Sequence, residues 1–139
     1  MMKKMKKMNK IMGTLVVLSV TAMFISMTSI QEPAKPWDVP AKYKSMKNPV
    51  PADDASIKMG RMLYTKHCAS CHGRTGKGDG VKARGLDTFS GDFSGDEYQG
   101  QTDGEHFYKT KFGRGEMPEY ADIIPDEDIW HMVNYMRTF

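Results

Sequence analysis

Along the 139 residues the pattern of apolar and polar positions changes character five times. A lysine-rich start (Lys3, Lys4, Lys6, Lys7, Lys10) gives way to Ile11–Ile30, a run of 20 residues without a charge. Gln31 to Ala52 then carries five of the seven prolines and has no apolar period, which predicts an extended tether rather than helix, with Trp37 and Tyr43 expected to pack on the domain rather than face solvent. From Asp53 a 3.6-residue period appears: Ile57, Gly60, Leu63 and Tyr64 share one face, and Asp53 or Asp54 is placed to cap the helix. Eleven of the 13 glycines fall between Gly73 and Gly115, predicting a loop-rich middle. Within it, Thr102-Asp103-Gly104-Glu105 has capping-box spacing and predicts a short helix over His106 to Phe112. Pro125-Asp126-Glu127-Asp128 opens a last helix that runs close to Phe139, its stripe being Ile129, Met132, Val133 and Met136, with Trp130 and Tyr135 beside it. No stretch alternates as a strand does, so the expected fold class is all-α.

The charge balance sharpens the division. The formal charge of +3 comes from the start of the chain, since five of the 20 basic residues lie in the first ten positions and no acidic residue precedes Glu32. Beyond them, 15 basic residues face 17 acidic ones, a net of −2, which leaves a nucleic-acid partner without an electrostatic footprint. Basic start plus apolar run is the pattern of an export leader, so residues 1–30 are read as a signal peptide or N-terminal membrane anchor. The run approaches spanning length, yet six Ser and Thr residues dilute it and Ser26 and Thr28 offer a weak cleavage site. Cleavage is the preferred reading, and membrane attachment through residues 11–30 the alternative. Residues 31–52 follow as the proline-rich tether and residues 53–139 as the folded domain.

The chemistry is concentrated at Cys68-Ala69-Ser70-Cys71-His72, which holds the chain's two cysteines. A Cys-x-x-Cys-His run is the attachment pattern of c-type haem. Two intervening residues let both thiols reach the two vinyl groups on one edge of a porphyrin, and the adjacent histidine lies beneath the iron. Competing readings lack support. A thioredoxin-like pair needs a βαβ context, a zinc site needs a second ligand pair, and a disulfide across two residues is strained. Gly73 to Gly80 is no phosphate cradle, because it lacks the Gly-Lys-Ser/Thr ending and follows no strand. It reads instead as a path of positive-φ turns around the haem edge, with Leu86, Phe89 and Phe93 available to cover that edge. For the sixth iron position the candidates are a methionine, a histidine or an open site. Met59, Met62, Met132 and Met136 lie on helices and are assigned to the core. Met117 lies in a glycine-flanked, proline-stiffened loop where no core calls for it, and it is the preferred ligand. His106 is its main rival, though a polar surface position suits it better, and His131 is expected on the solvated side of the last helix.

Together these residues carry a resemblance over about Asp53 to Phe139. The chain resembles the monohaem class I cytochromes c, of the small bacterial exported kind. The matching marks are Gly60 and Tyr64, the Cys68–His72 motif, Gly76 to Gly80, Met117-Pro118, and Trp130 with Tyr135. The resemblance implies a small cytochrome c fold, three to four helices around one covalent haem c. It implies Cys68 and Cys71 as attachment residues, and His72 and Met117 as axial ligands. It also implies that the first and last helices cross with Gly60 and Tyr64 against Met132, Val133 and Tyr135. The expected role is a non-enzymatic one-electron carrier with redox-protein partners, exported to the periplasm or the outer face of the membrane, as a monomer or as a subunit of a respiratory or dehydrogenase complex. A haem enzyme or gas sensor with an open distal site is the remaining alternative. One departure is visible: no proline stands between Pro51 and Pro118, so the residue that orients His72 in mitochondrial-type members has no counterpart.

Overall fold

The computed structural model describes residues 35–139, so the expectations for residues 1–30 lie outside the described residues. Six α-helical segments follow in order: α1 (Ala41–Lys44), α2 (Asp54–His67), α3 (Ala69–His72), α4 (Asp96–Gln99), α5 (Asp103–Phe112) and α6 (Asp126–Met136). A 3₁₀ turn, Ala83–Gly85, lies between α3 and α4. Among the described residues there is no strand, only an isolated bridge between Arg114 and Met117. The fold is all-α, with three long helices and three single turns.

Local signals account for the helix starts. Asp53 caps α2, its carboxylate accepting the Ser56 N–H at 2.8 Å, a bond worth about 1 kcal/mol. At α5 the capping box closes both ways: Glu105 N–H donates to Thr102 Oγ1 at 3.2 Å, and Thr102 N–H to the Glu105 carboxylate at 2.8 Å. Asp126, Glu127 and Asp128 fill the first turn of α6, where the helix dipole favours negative charge.

The core forms where α2 meets α6. From α6, Ile129, Met132 and Val133 are wholly buried, and Tyr64 is the fully buried side chain of α2. Burying each such side chain contributes roughly 1.5–3 kcal/mol. Close approach is set by Gly60, where an added Cβ would lie 2.9 Å from Tyr135 Cβ and closer still to the His131 carbonyl oxygen. Tyr64 and Tyr135 then meet edge to face with ring centroids 5.4 Å apart, in agreement with the expected crossing. Helix α5 closes the third side, Phe107 stacking on Trp130 at 4.2 Å.

Three expectations need correction. The proline-rich stretch is not free of helix. Pro40 caps α1, where a missing N–H costs nothing; the expected packing of Tyr43 is met, its ring lying against Phe107, Tyr108 and Phe112 of α5. Gly104, in the first turn of α5, leaves room for the Tyr43 and Met46 main chain. Further on, Asn48 donates to the Trp130 carbonyl and to Asn134 Oδ1, while the Asn134 amide donates to Val50 O and Ser56 Oγ. The prolines keep this segment non-helical elsewhere, and the buried amides fasten it to α6. Met59 and Met62 are exposed rather than core, because α2 buries the face that carries Ser56, Gly60 and Tyr64, with Leu63 packed at its margin. His131 is half-buried at the crossing, its Nδ1 2.8 Å from Ser56 Oγ.

Candidate haem site

The Cys68–His72 stretch is one tight helical turn appended to α2. Cys68 N–H donates to Tyr64 O at 2.8 Å, closing α2, and the Cys68 carbonyl accepts from Cys71 N–H at 3.1 Å and His72 N–H at 3.0 Å. Positions 68, 71 and 72 are i, i+3 and i+4, which places both thiols and the imidazole on one side of the turn. Both cysteines are half-buried, and no disulfide joins them. Burial, reinforced by Cys71, pushes the Cys68 thiol up to about 12, so it stands protonated at neutral pH.

A helical turn this short leaves its last carbonyls without intrahelical partners. The glycine-rich loop supplies them. Gly78 N–H reaches His72 O at 2.9 Å, Gly80 N–H reaches Cys71 O at 3.1 Å, and Lys82 N–H reaches Ser70 O at 2.8 Å. The loop must come that close main chain to main chain: a Cβ on Gly80 would overlap the Ser70 carbonyl, and Gly73, Gly76 and Gly78 take φ of 78°, 72° and 70°. Tyr64 Oη donates to Gly73 O at 2.7 Å, tying the loop's first residue to the core.

His72 lies 4.5 Å, centroid to centroid, from the buried ring of Phe93. Burial lowers its imidazole pKa to about 4, with the Ser90 main chain beside it acting in the opposite direction. The side chain is therefore neutral, the form that offers a nitrogen lone pair to a metal. Its Nδ1 is buried and finds no hydrogen-bond partner, Ser90 lying outside bonding geometry. Two free thiols and a neutral imidazole on one face of one turn fit the demands of covalent haem.

Met117 is in the loop between α5 and α6. Arg114 and Met117 exchange main-chain hydrogen bonds (2.9 and 3.0 Å), making a tight turn bracketed by Gly113 and Gly115, both at positive φ (57° and 58°). Two side chains carry this turn to the motif. Tyr120 Oη donates to the carbonyl of His67, one residue before Cys68, at 3.0 Å. Burial, with Cys68 and Cys71 adding to it, raises the Tyr120 phenol pKa. The Glu116 carboxylate accepts from the N–H groups of Asp87 (3.2 Å) and Thr88 (2.9 Å), in the loop that follows the motif. Neither Tyr120 nor Glu116 was singled out from the sequence, because each acts on a segment dozens of residues away with no local signature.

The rival ligand His106 is not at the surface. It is 1% exposed, stacked on Tyr98 at 4.0 Å, and neither ring nitrogen has a hydrogen-bond partner. Tyr98 stacks in turn on Phe93 at 4.2 Å. Burial, with Arg137 and Lys109 adding repulsion and the Tyr98 main chain opposing it, lowers the His106 pKa to about 3. The unfolded chain takes up a proton on this residue below about pH 6.5, whereas the folded chain resists it. Stability is thus complete above that pH and falls as acid is added, by at most about 1.4 kcal/mol per pH unit. His106→Phe keeps the stack and should flatten the urea-midpoint profile between pH 7 and 5. An unchanged slope would exclude His106 as its source.

Comparison with known proteins identifies the family. Residues 55–136, more than half of the chain, match the family described as Cytochrome C oxidase, cbb3-type, subunit III. The chain is also similar to cytochrome c550 of Pseudomonas aeruginosa, 25% identical over 128 residues, covering 86% of this chain and 78% of that protein. Covalently bound haem c and haem-based electron transfer come with the family, and Cys68 and Cys71 are the cysteines available for attachment. With its motif on one helical turn between two packed helices, the chain belongs to this family of monohaem c-type cytochromes.

Proposed function

We propose that the protein is an exported one-electron carrier in which Cys68 and Cys71 hold the haem and His72 and Met117 are its axial ligands. The observation that carries the reading is the clasp of Tyr120 on His67, which brings the Met117 turn to the end of α2 from which the attachment motif begins. The haem supplies the Fe(II)/Fe(III) couple. The chain's part is to keep both ligands bound in each state, so that little reorganises on transfer. His72 is held neutral against Phe93, and Met117 is presented by a turn that two main-chain hydrogen bonds to Arg114 close. A thioether ligand favours a higher potential than a second imidazole would. A filled sixth position leaves no site for substrate, which makes the protein a carrier rather than an enzyme.

A second reading rests on the family description, which names an oxidase subunit, and on the uncharged run Ile11–Ile30. In it the same haem domain serves a membrane respiratory complex. Among the described residues no helix is long and apolar enough to cross a membrane, so residues 11–30 would have to supply the anchor. Recovery of the mature chain from the membrane fraction with residues 11–30 intact would favour the subunit. A soluble chain beginning near residue 30 would favour the shuttle.

Visible spectra of the purified protein, oxidised and reduced, with and without carbon monoxide, test the ligation. A low-spin spectrum with the weak far-red sulfur-to-iron band when oxidised, and no response to carbon monoxide, is expected. A high-spin spectrum or ready carbon monoxide binding would replace the carrier reading with an open-site haem protein.

A further inference from the structure

We infer that Arg114 and Trp37 are positioning residues for the Met117 thioether, so that the strap at residues 35–37 forms part of the ligand loop's support. The inference rests on the His72/Met117 ligation proposed above. The Arg114 guanidinium donates to two successive carbonyls of the strap, Nη2 to Lys35 O at 2.7 Å and Nη1 to Pro36 O at 3.0 Å. Its central carbon lies 4.3 Å from the centroid of the Trp37 ring, on whose ring Lys109 Nζ also approaches to 5.7 Å. The main chain of the same Arg114 exchanges both of its hydrogen bonds with Met117. The strap therefore acts on the main chain that pairs with the ligand.

Such support has a physical purpose. The Met117 turn carries positive-φ glycines at 113 and 115, residues that lose the most conformational freedom on ordering. Met117 and Pro118 are themselves half-buried and exposed, so core packing does little to hold them. External ties do that work on two flanks: Glu116 bonds the loop after the motif, and Arg114 bonds the strap. A guanidinium suits the second tie, because a planar fork can span two carbonyls while stacking on an indole face, and an ammonium cannot do all three at once. When the turn is held, the thioether stays at high effective concentration beside the iron. When it is loosened, the fraction of molecules with a free sixth position grows, and small ligands of ferrous iron bind in proportion.

The test uses the haem-loaded full chain and carbon monoxide as probe. Arg114→Ala and Trp37→Ala should each raise the apparent carbon monoxide affinity of the ferrous protein roughly threefold, in line with the loss of one solvent-exposed cation–π contact. They should also bleach the far-red band of the oxidised protein at a temperature below that of global unfolding. Arg114→Lys should resemble Arg114→Ala. Arg137→Ala, which removes ties to Gln99, Gln101 and Asp103 away from the loop, lowers the unfolding temperature without separating it from band loss. Should the wild type resist carbon monoxide and both strap variants match it, the positioning role is overturned while the ligation stands. A wild type that binds carbon monoxide freely overturns both. Trp37→Ala, at a strap outside the main core, keeps the test open if Arg114→Ala does not fold.

Discussion

Met117→Ala in the haem-loaded protein is expected to remove the far-red sulfur-to-iron band, open the ferrous protein to carbon monoxide and lower the reduction potential. The main chain gives little reason for the fold to fail. Met117 holds its turn through N–H and carbonyl bonds to Arg114, which alanine keeps, and its side chain is only half-buried. The change therefore falls on the iron. Axial-ligand identity moves haem potentials over about 0.8 V, so a fall on the order of 100 mV is expected when the thioether is replaced by water or hydroxide. Met117→His separates ligation from mere occupancy. It should restore a low-spin spectrum without the far-red band and with a potential below that of the wild type. If Met117→Ala left the potential and the carbon monoxide response unchanged, the sixth ligand would lie elsewhere. His106 would not be the next choice, because it is buried behind Tyr98 and Phe93, on the side of the ring stack that begins at His72.

Gly60→Ala is expected to be strongly destabilising. The added carbon would overlap the His131 carbonyl and press on Tyr135 Cβ, and both are parts of a helix that cannot rotate away. Relief requires α2 and α6 to separate. Separation uncovers Ile129, Met132 and Val133, and it stretches the bonds of Ser56 to His131 and Asn134. Overpacking against main chain at such a site costs about 3 kcal/mol or more. For a domain this small that is a large share of the total, and a drop in urea midpoint of matching size is the measurement that checks it. Gly85→Ala is the contrast. Nothing lies within 4 Å of its added Cβ and its φ is not left-handed, so the change should be neutral or stabilise by about 0.5 kcal/mol. Equal losses at both positions would mean that the crossing does not depend on the glycine.

Much of the site is legible along the chain because its signals are short-range. The Cys68–His72 spacing, the Asp53 cap, the Thr102/Glu105 box and the acidic first turn of α6 each involve residues within one helical turn of one another. Their chemistry is complete before any tertiary contact forms. Gly60 and Tyr64 were placed at the crossing through the family resemblance, and the packed helices put them there.

Burial is where local reading ended. His106 follows a capping box in a polar helix, and nothing within five residues shows that Tyr98 will cover its ring. Met59 and Met62 share the apolar character of Leu63, yet Leu63 packs beside the buried face of Ser56, Gly60 and Tyr64 while the two methionines face water. The prolines of residues 35–52 argue against helix, but they say nothing of the Asn48 and Asn134 amides that fasten the segment to α6 across more than 80 positions. The sequence by itself determined the three long helices, the attachment turn and the candidate ligand, since these follow from backbone preference and side-chain chemistry at fixed short spacing. Tertiary structure alone decided which histidine is buried, which methionines face water, and that Tyr120, Glu116 and the Trp37 strap converge on the Met117 turn. Those outcomes depend on which surfaces meet once the chain has closed, and no period in the sequence encodes that.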